Sequence, residues 1–228
     1  VSARADTINL EWLQAGPNTV YVCAPIEDQR RLAPAFGGLL SDLIRQAYLR
    51  VSRSGRPLDP PLLVVIDEAG NTPLRALPEY ASTLAGIGVL LVTIWQSVAQ
   101  LDSGYGRAAD TILTNHLTKV FYSGLSDPAS LGYVAKVVGE DEVQTRSRSI
   151  DSLGWRSSES LSTTREGLVP AHVLRQMRPG EALLVHGSLP PAHLRPRLYW
   201  RDRGLAARAE LAPTTAGDDR EEPDADVA

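Results

Sequence analysis

The chain has 228 residues, 43% of them hydrophobic, and a formal net charge of -4. That is enough apolar material for one sizeable domain. It excludes a polycation that binds nucleic acid over its whole surface, so any such contact has to come from a local patch.

Residues 18–25 (NTVYVCAP) are rich in β-formers and predict a short strand. Cys23, the only cysteine, lies in it; it excludes an internal disulfide and reads as a small buried hydrophobe. Leu39, Leu40, Leu43, Ile44, Ala47 and Tyr48 recur at helical spacing and predict an amphipathic helix over residues 34–53, ended by Gly55, Pro57, Pro60 and Pro61. LLVVI (62–66) is a continuous apolar run, typical of strands buried on both faces of a parallel sheet. LPEYASTLA (77–85) predicts a short helix, and GVLLVTIW (88–95) the next buried strand, with Trp95 in the core. QSVAQLDSGYGRAADTILTNH follows as a polar start and then helix, and LTKVFYS (117–123) as a strand. DPASLGYVAKVVG predicts a helix with Asp127 as N-cap and Pro128 in its first position. This alternation predicts an α/β fold, a mostly parallel sheet with helices on both faces.

From 141 to 168 the composition turns to Arg, Ser and Thr, and the segment reads as an irregular loop or a β-hairpin insertion. VPAHVLRQM resumes a helix, EALLVHG (181–187) a strand, and RPRLYW a short edge strand. Residues 1–212 are expected to belong to one domain, and the acidic stretch 213–228 to a disordered tail. No apolar run reaches the roughly 18 residues of a membrane span. The chain opens on Val1 without a leader, and we expect it to be a piece of a longer protein.

Asp67 and Glu68 stand side by side where LLVVI ends. Carboxylates at the end of a buried strand are costly unless something pairs with them. Parallel α/β sheets bind ligands at the carboxyl ends of their strands. An apolar run closed by Asp-Glu is the Walker B pattern of nucleotide hydrolases. Its first carboxylate holds the hydrated Mg²⁺ that bridges two phosphates of ATP, and the second polarises the attacking water. A strand followed by a solvated acidic turn has the same appearance. Gln96 closes the next strand at the same edge, where a polar group can sense the γ-phosphate; a lone glutamine there is also an ordinary helix start. The acid pair and the glutamine on successive strand ends together favour a nucleotide site.

Three stretches extend this reading: LLVVIDEAGNTPLRALPEYASTLAGIGVLLVTIWQSVAQLDSGYG, ILTNHLTKVFYSGLSDPASLGYVAKVVGEDEV and LVPAHVLRQMRPGEALLVHGSLPPAHLRPRLYW. In this order they resemble the C-terminal part of the motor domain of type IV secretion coupling proteins, the TraG/TraD family of conjugative DNA-transfer ATPases. The resemblance covers roughly residues 10–203. LDPPLLVVIDEAGN and LRQMRPGEALLVHGSLPP are similar to the actinobacterial branch.

The resemblance implies a partial RecA-like P-loop sheet with ATP and Mg²⁺ as cofactors. It implies homo-hexameric rings on the cytoplasmic side of the inner membrane, anchored by N-terminal helices outside this chain. It implies single-stranded DNA with attached relaxase as cargo, relaxosome proteins as partners and a secretion channel as destination. Asp67 would hold Mg²⁺ through water, Glu68 would be the catalytic base, and Gln96 the γ-phosphate sensor. Two departures qualify this. The Walker A pattern G-x-x-x-x-G-K-[ST] does not occur, so the chain is expected to hold half a nucleotide site and to be inactive alone. Ala85 stands where many members carry an arginine that reaches the neighbouring subunit; Arg107 is the alternative finger, and otherwise this copy is a weak ATPase.

Other residues carry two readings each. Asn71 fixes the turn after the acids or touches nucleotide. Asn115 and His116 cap a helix or lie near phosphate. His172, His186 and His193 show no metal spacing. Arg146, Arg148, Arg156 and Arg165 with Trp155 suit a DNA backbone and a stacked base, or a polar surface loop. At the level of the whole protein, the alternatives to a DNA-pumping ATPase are an inactive adaptor or relaxosome-recognition module of the same fold, and a RecA-like motor with other cargo.

Overall fold

In the computed structural model, residues 8–150 and 157–210 are described. A short helix, α1 (Leu10–Gln14), is capped by the Asn9 side chain, which accepts the Trp12 N–H. The long α2 (Ile26–Ser54) follows. It starts ahead of the expected residue 34 because Glu27 and Asp28 suit the positive end of a helix. Gly55, at φ 66, ends it. Residues 18–25 form no strand, contrary to the β-rich composition. A strand needs a neighbour for its N–H and C=O groups. None pairs with this segment among the described residues, so Tyr21 is 84% exposed and Cys23, expected to be buried, is exposed as well.

β1 (Leu62–Ile66) and β2 (Val89–Thr93) pair in parallel, Leu62 opposite Val89 and Ile66 opposite Thr93. Between them run α3 (Leu77–Thr83) and a 3-10 turn, Leu84–Ile87. The core forms on one side of this pair. Ile44 and Ala47 of α2 meet Leu58, Tyr80, Leu84, Ile87 and Val89, with Leu62, Val64 and Leu91 of the strands against them. Gly88, at φ 80, belongs to this packing. A Cβ there would stand 2.6 Å from the Leu58 backbone nitrogen, so only glycine allows the approach. On the other side Leu63, Val65, Leu90 and Val92 are exposed. A run of five apolar residues is thus covered on one face by the described helices and open on the other.

α4 (Val98–Tyr105) and α5 (Ala109–Asn115) lead to β3 (Thr118–Tyr122). β3 does not extend the parallel pair. It joins β6 (Ala182–His186) in antiparallel register, and β6 joins β7 (Ala192–Leu194) in the same sense. α6 (Pro128–Val138) starts as expected, with the Asp127 carboxylate accepting the Ser130 N–H. Val134 and Val138 of α6 and Leu174 of α7 (Ala171–Arg175) pack on Leu183, Val185 and Phe121 to form a second core. The α/β class is the expected one.

The Arg/Ser-rich segment takes the hairpin form: β4 (Glu140–Ile150) and β5 (Ser157–Gly167) pair antiparallel along their length. RPRLYW is not a strand; the edge strand is β7, just upstream. The chain then turns into α8 (Arg203–Glu210), where Asp202 accepts the N–H groups of Gly204 and Leu205 and pairs with Arg197. These bonds hold the Asp202 carboxyl below the usual range, the Leu205 N–H first among them. The acidic stretch from Pro213 lies outside the described residues. No helix among the described residues is long and apolar enough to cross a membrane.

Candidate functional site

The parallel register brings the carboxyl ends of β1 and β2 level. Ile94 donates to the Ile66 carbonyl at 2.9 Å, and Ala69 donates back to the Ile94 carbonyl at 3.0 Å. Asp67 and Glu68 therefore leave the sheet directly beside Trp95 and Gln96. The sequence reading placed these residues at one edge, and the structure brings them together.

Asp67 is exposed, and its Oδ1 accepts the Glu68 N–H at 2.9 Å. Glu68 has φ 48, and among the described residues no other non-glycine has a positive φ. Side chains other than glycine adopt this left-handed region at a cost of order 1–3 kcal/mol, and such residues cluster at functional sites. Asn71 holds the conformation: its N–H donates to the Glu68 carbonyl at 2.8 Å, and its side-chain amide donates to Glu68 Oε2. Asn71 thus fixes the turn, the first of its two expected roles.

Gln96 is exposed in a bend, and its backbone N–H donates to Gln100 Oε1 at 3.2 Å. The start of α4 is closely bonded. The Ser97 hydroxyl accepts the Gln100 N–H at 3.1 Å, and the buried Ser130 hydroxyl accepts the Val98 N–H at 2.9 Å. Ser130 links this end of the parallel pair to α6 on the second sheet.

Below the edge, a hydrogen-bond chain leads away from Trp95. Trp95 Nε1 donates to Thr93 Oγ1 at 2.9 Å, and Thr93 meets His116 Nε2 at 3.2 Å. His116 Nδ1 lies 2.7 Å from the Ile112 carbonyl. A carbonyl accepts only, so the proton is assigned to Nδ1 and the Thr93 hydroxyl donates to Nε2. Burial lowers the Lys119 pKa, and its amine donates to the His116 carbonyl at 2.7 Å. His116 is thus a strand-to-helix connector. Asn115 bonds the Thr111 carbonyl and the Ser82 hydroxyl, its capping role. Trp95, half-buried, stacks edge-on with Tyr105 at 5.9 Å. Burial pushes the Tyr105 phenol up, keeping it neutral, and its oxygen bonds both the N–H and the carbonyl of Leu74.

The remaining expected residues lie elsewhere. Arg107 is exposed in the turn after α4, at the end opposite Gln96, and does not reach the acid pair within the chain. Ala85 is exposed in the 3-10 turn before β2, at the amino edge of the sheet. Arg146 and Arg148 fall on β4, opposite Leu161 and Glu159. Trp155 and Arg156 lie outside the described residues. Among the described residues no cluster of His, Cys, Asp and Glu could hold a metal ion by protein ligands alone. Sequence reasoning missed Gln100. Its signal was present: Ser97-x-x-Gln100 is a capping-box pattern.

The protein family described as the TraM recognition site of TraD and TraG matches residues 61–179, more than half of the chain. The chain belongs to the TraD and TraG family of coupling proteins. The matched stretch of this TraD/TraG chain runs from the start of β1 through the acid pair, Gln96, Gln100 and the β4–β5 hairpin. The chain is 28% identical to Protein VirD4 of Rhizobium rhizogenes over 191 residues, 82% of this chain and 28% of VirD4. Its fold is that of the bacterial conjugative coupling protein TrwBΔN70, with a TM-score of 0.55 at 23% identity over 73% of this chain and 39% of that one. It also matches TrwB in complex with the non-hydrolysable ATP analogue ADPNP, with a TM-score of 0.51 at 23% identity over 72% of this chain and 37% of that one. This TraD/TraG chain thus spans well under half the length of these relatives.

Proposed function

We propose that the chain supplies the carboxyl-edge half of the nucleotide site of a conjugative DNA-translocating ATPase. The observation that carries this reading is the meeting of Asp67, Glu68 and Gln96 at one sheet edge, with Glu68 in a left-handed conformation stabilised by Asn71.

The donor set suits Mg²⁺ and the γ-phosphate end of ATP. Asp67 commits Oδ1 to the Glu68 N–H and has a second carboxylate oxygen for a water-mediated ion contact. Mg²⁺, when bound with ATP, supplies charge neutralisation at the phosphates. Glu68 takes the proton of the attacking water, its carboxylate oriented by the Asn71 amide. Gln96 donates its amide to the γ-phosphate and passes the occupancy of the site to α4. The phosphate-cradling Walker A loop does not occur in this sequence. Polypeptide outside this chain completes the site, and the open apolar face at Leu63, Val65, Leu90 and Val92 suits the packing of that half.

TrwB has been solved with ADPNP and with ADP and Mg²⁺, which supports the choice of ligand. The family description, a TraM recognition site, supports a relaxosome protein as partner. In this reading the complete protein is of the actinobacterial type and forms a homo-hexamer anchored on the cytoplasmic side of the inner membrane. It moves single-stranded DNA with relaxase toward a type IV secretion channel. Arg107, exposed beyond α4, is the arginine that reaches the neighbouring subunit, since Ala85 cannot.

Arg146 and Arg148, two residues apart on β4, bind the DNA backbone. Changing both to Ala is expected to flatten the salt dependence of single-strand binding, by about 0.7 in log–log slope for each phosphate no longer neutralised. An unchanged slope would leave the hairpin without a DNA role. The motor function itself is tested by ATP hydrolysis in the complete protein. Turnover that rises with single-stranded DNA is expected; a rate indifferent to DNA would contradict translocation.

A further inference from the structure

We propose that Gln100 is a positioning residue that locks the acid-pair turn to the Gln96 segment, so that base and sensor move as one unit. The proposal rests on the reading of Asp67, Glu68 and Gln96 as the hydrolytic edge of a nucleotide site.

Three elements meet at this side chain: the turn after β1 carrying Gly70, the bend after β2 carrying Gln96, and the first turn of α4. Ser97 is the N-cap of α4, and its hydroxyl accepts the Gln100 N–H, which is the first half of a capping box. In the usual box the third helical residue bonds back to the N–H of the cap itself. Here Gln100 Oε1 reaches one residue further and accepts the Gln96 N–H at 3.2 Å. The capping pattern has been redirected to the residue assigned as sensor.

The opposite face of the same carboxamide lies on Gly70. A Cβ at Gly70 would stand 2.1 Å from Gln100 Cδ and 2.4 Å from Nε2. Gly70 has no positive φ, so the glycine is explained by this close approach and not by its backbone angle. The turn holding Asp67 and Glu68 is thus in van der Waals contact with the group that holds the Gln96 backbone. The Ser97 and Ser130 hydroxyls anchor the start of α4, so Gln100 projects from a fixed base. A shift of the acid turn, as when an ion and phosphates engage Asp67 and Glu68, is transmitted through Gly70 and Gln100 to residue 96.

The test compares Gln100→Ala, Gln100→Glu, Gly70→Ala and the Gly70→Ala/Gln100→Ala pair in the complete protein. The readouts are kcat, KM and hydrogen exchange of the residue 96 amide. Loss of one hydrogen bond of this kind is worth about tenfold in rate. Gln100→Ala is therefore expected to lower kcat by about that factor, with KM changed less than about twofold. Gln100→Glu keeps an acceptor oxygen at the same reach and is expected to retain most of the rate. Gly70→Ala displaces the carboxamide and is expected to mimic Gln100→Ala. The pair is expected to be no worse than Gln100→Ala alone, because the shortened side chain at position 100 makes room for the new methyl group. Additive losses in the pair, or equal defects in Gln100→Ala and Gln100→Glu, overturn the proposal. A wild-type protein without turnover overturns the ATPase reading, and exchange then decides the positioning role. Faster exchange at residue 96 in Gln100→Ala and Gly70→Ala but not in Gln100→Glu supports it; equal exchange in all three overturns it.

Discussion

Glu68→Gln is expected to lower ATP turnover of the complete protein by about 10²- to 10⁴-fold, the range a general base contributes, while leaving ATP binding within about twofold. The substitution keeps the size of the side chain and the φ 48 backbone. It removes the charge that makes the carboxylate a proton acceptor, and the new amide can still turn its oxygen toward the Asn71 Nδ2 donor. Neither change touches Asp67, so the ion-side contact survives. A second variant separates strain from chemistry. Glu68→Gly tolerates the left-handed conformation and relieves about 1 kcal/mol of backbone cost. It is expected to be as inactive as Glu68→Gln yet no less stable, which is the pattern of a residue retained for function at the expense of stability. Turnover unchanged in Glu68→Gln, measured in steady state, would remove Glu68 from the role of base.

Asp67→Ala is expected to abolish the Mg²⁺-dependent part of nucleotide affinity, a loss of about 10- to 100-fold. Hydrogen bonds to charged groups are worth about 1.5–3 kcal/mol, and the Asp67 carboxylate would orient the waters around the ion. The same change deletes the bond from Oδ1 to the Glu68 N–H, so Glu68 loses part of its support and turnover falls too. Asp67→Asn keeps that backbone bond and removes the charge. It is expected to match Asp67→Ala in Mg²⁺ dependence while staying closer to the wild type in thermal stability. Titration of ATP with and without Mg²⁺ checks both variants; equal affinities under the two conditions in the wild-type protein would contradict the assignment.

The parts of the fold that the sequence revealed are those where local chemistry agrees with tertiary demand. LLVVI is β1 from its first residue to its last, because an apolar run before an acid pair has nowhere else to go. Asp127 and Gly55 bound their helices where capping rules put them. Residues 18–25 mark the limit of that logic. Their β-rich composition describes a preference, but a strand is a pairing, and no neighbour pairs with them among the described residues. RPRLYW failed differently: Asp202 caps α8 and draws Arg197 to itself, which competes with an extended edge. The antiparallel sense of β3 against β6 was not legible either, because the residues between them encode a hairpin and two helices but not the direction of return.

At the site, residue type was legible and geometry was not. Asp67, Glu68 and Gln96 could be named because their chemistry is specific and their strand ends are consecutive. The left-handed Glu68 backbone could not, since glutamate has no preference for that region. Gln100 drew no reading although Ser97-x-x-Gln100 is a capping-box pattern, and only the contact with Gly70 reveals that it faces the acid turn. The chain from Trp95 through Thr93 to His116 is a tertiary feature with no pattern in the sequence.

In the proposed function, Asp67, Glu68 and Gln96 form one half of a nucleotide site completed by polypeptide outside this chain. The most direct test measures ATP hydrolysis by this chain alone and by the complete protein, each with and without single-stranded DNA. No turnover is expected from the chain alone, and DNA-stimulated turnover is expected from the complete protein. Absent turnover in a folded complete protein that carries an upstream phosphate-binding loop, or equal turnover by the chain alone, would contradict it.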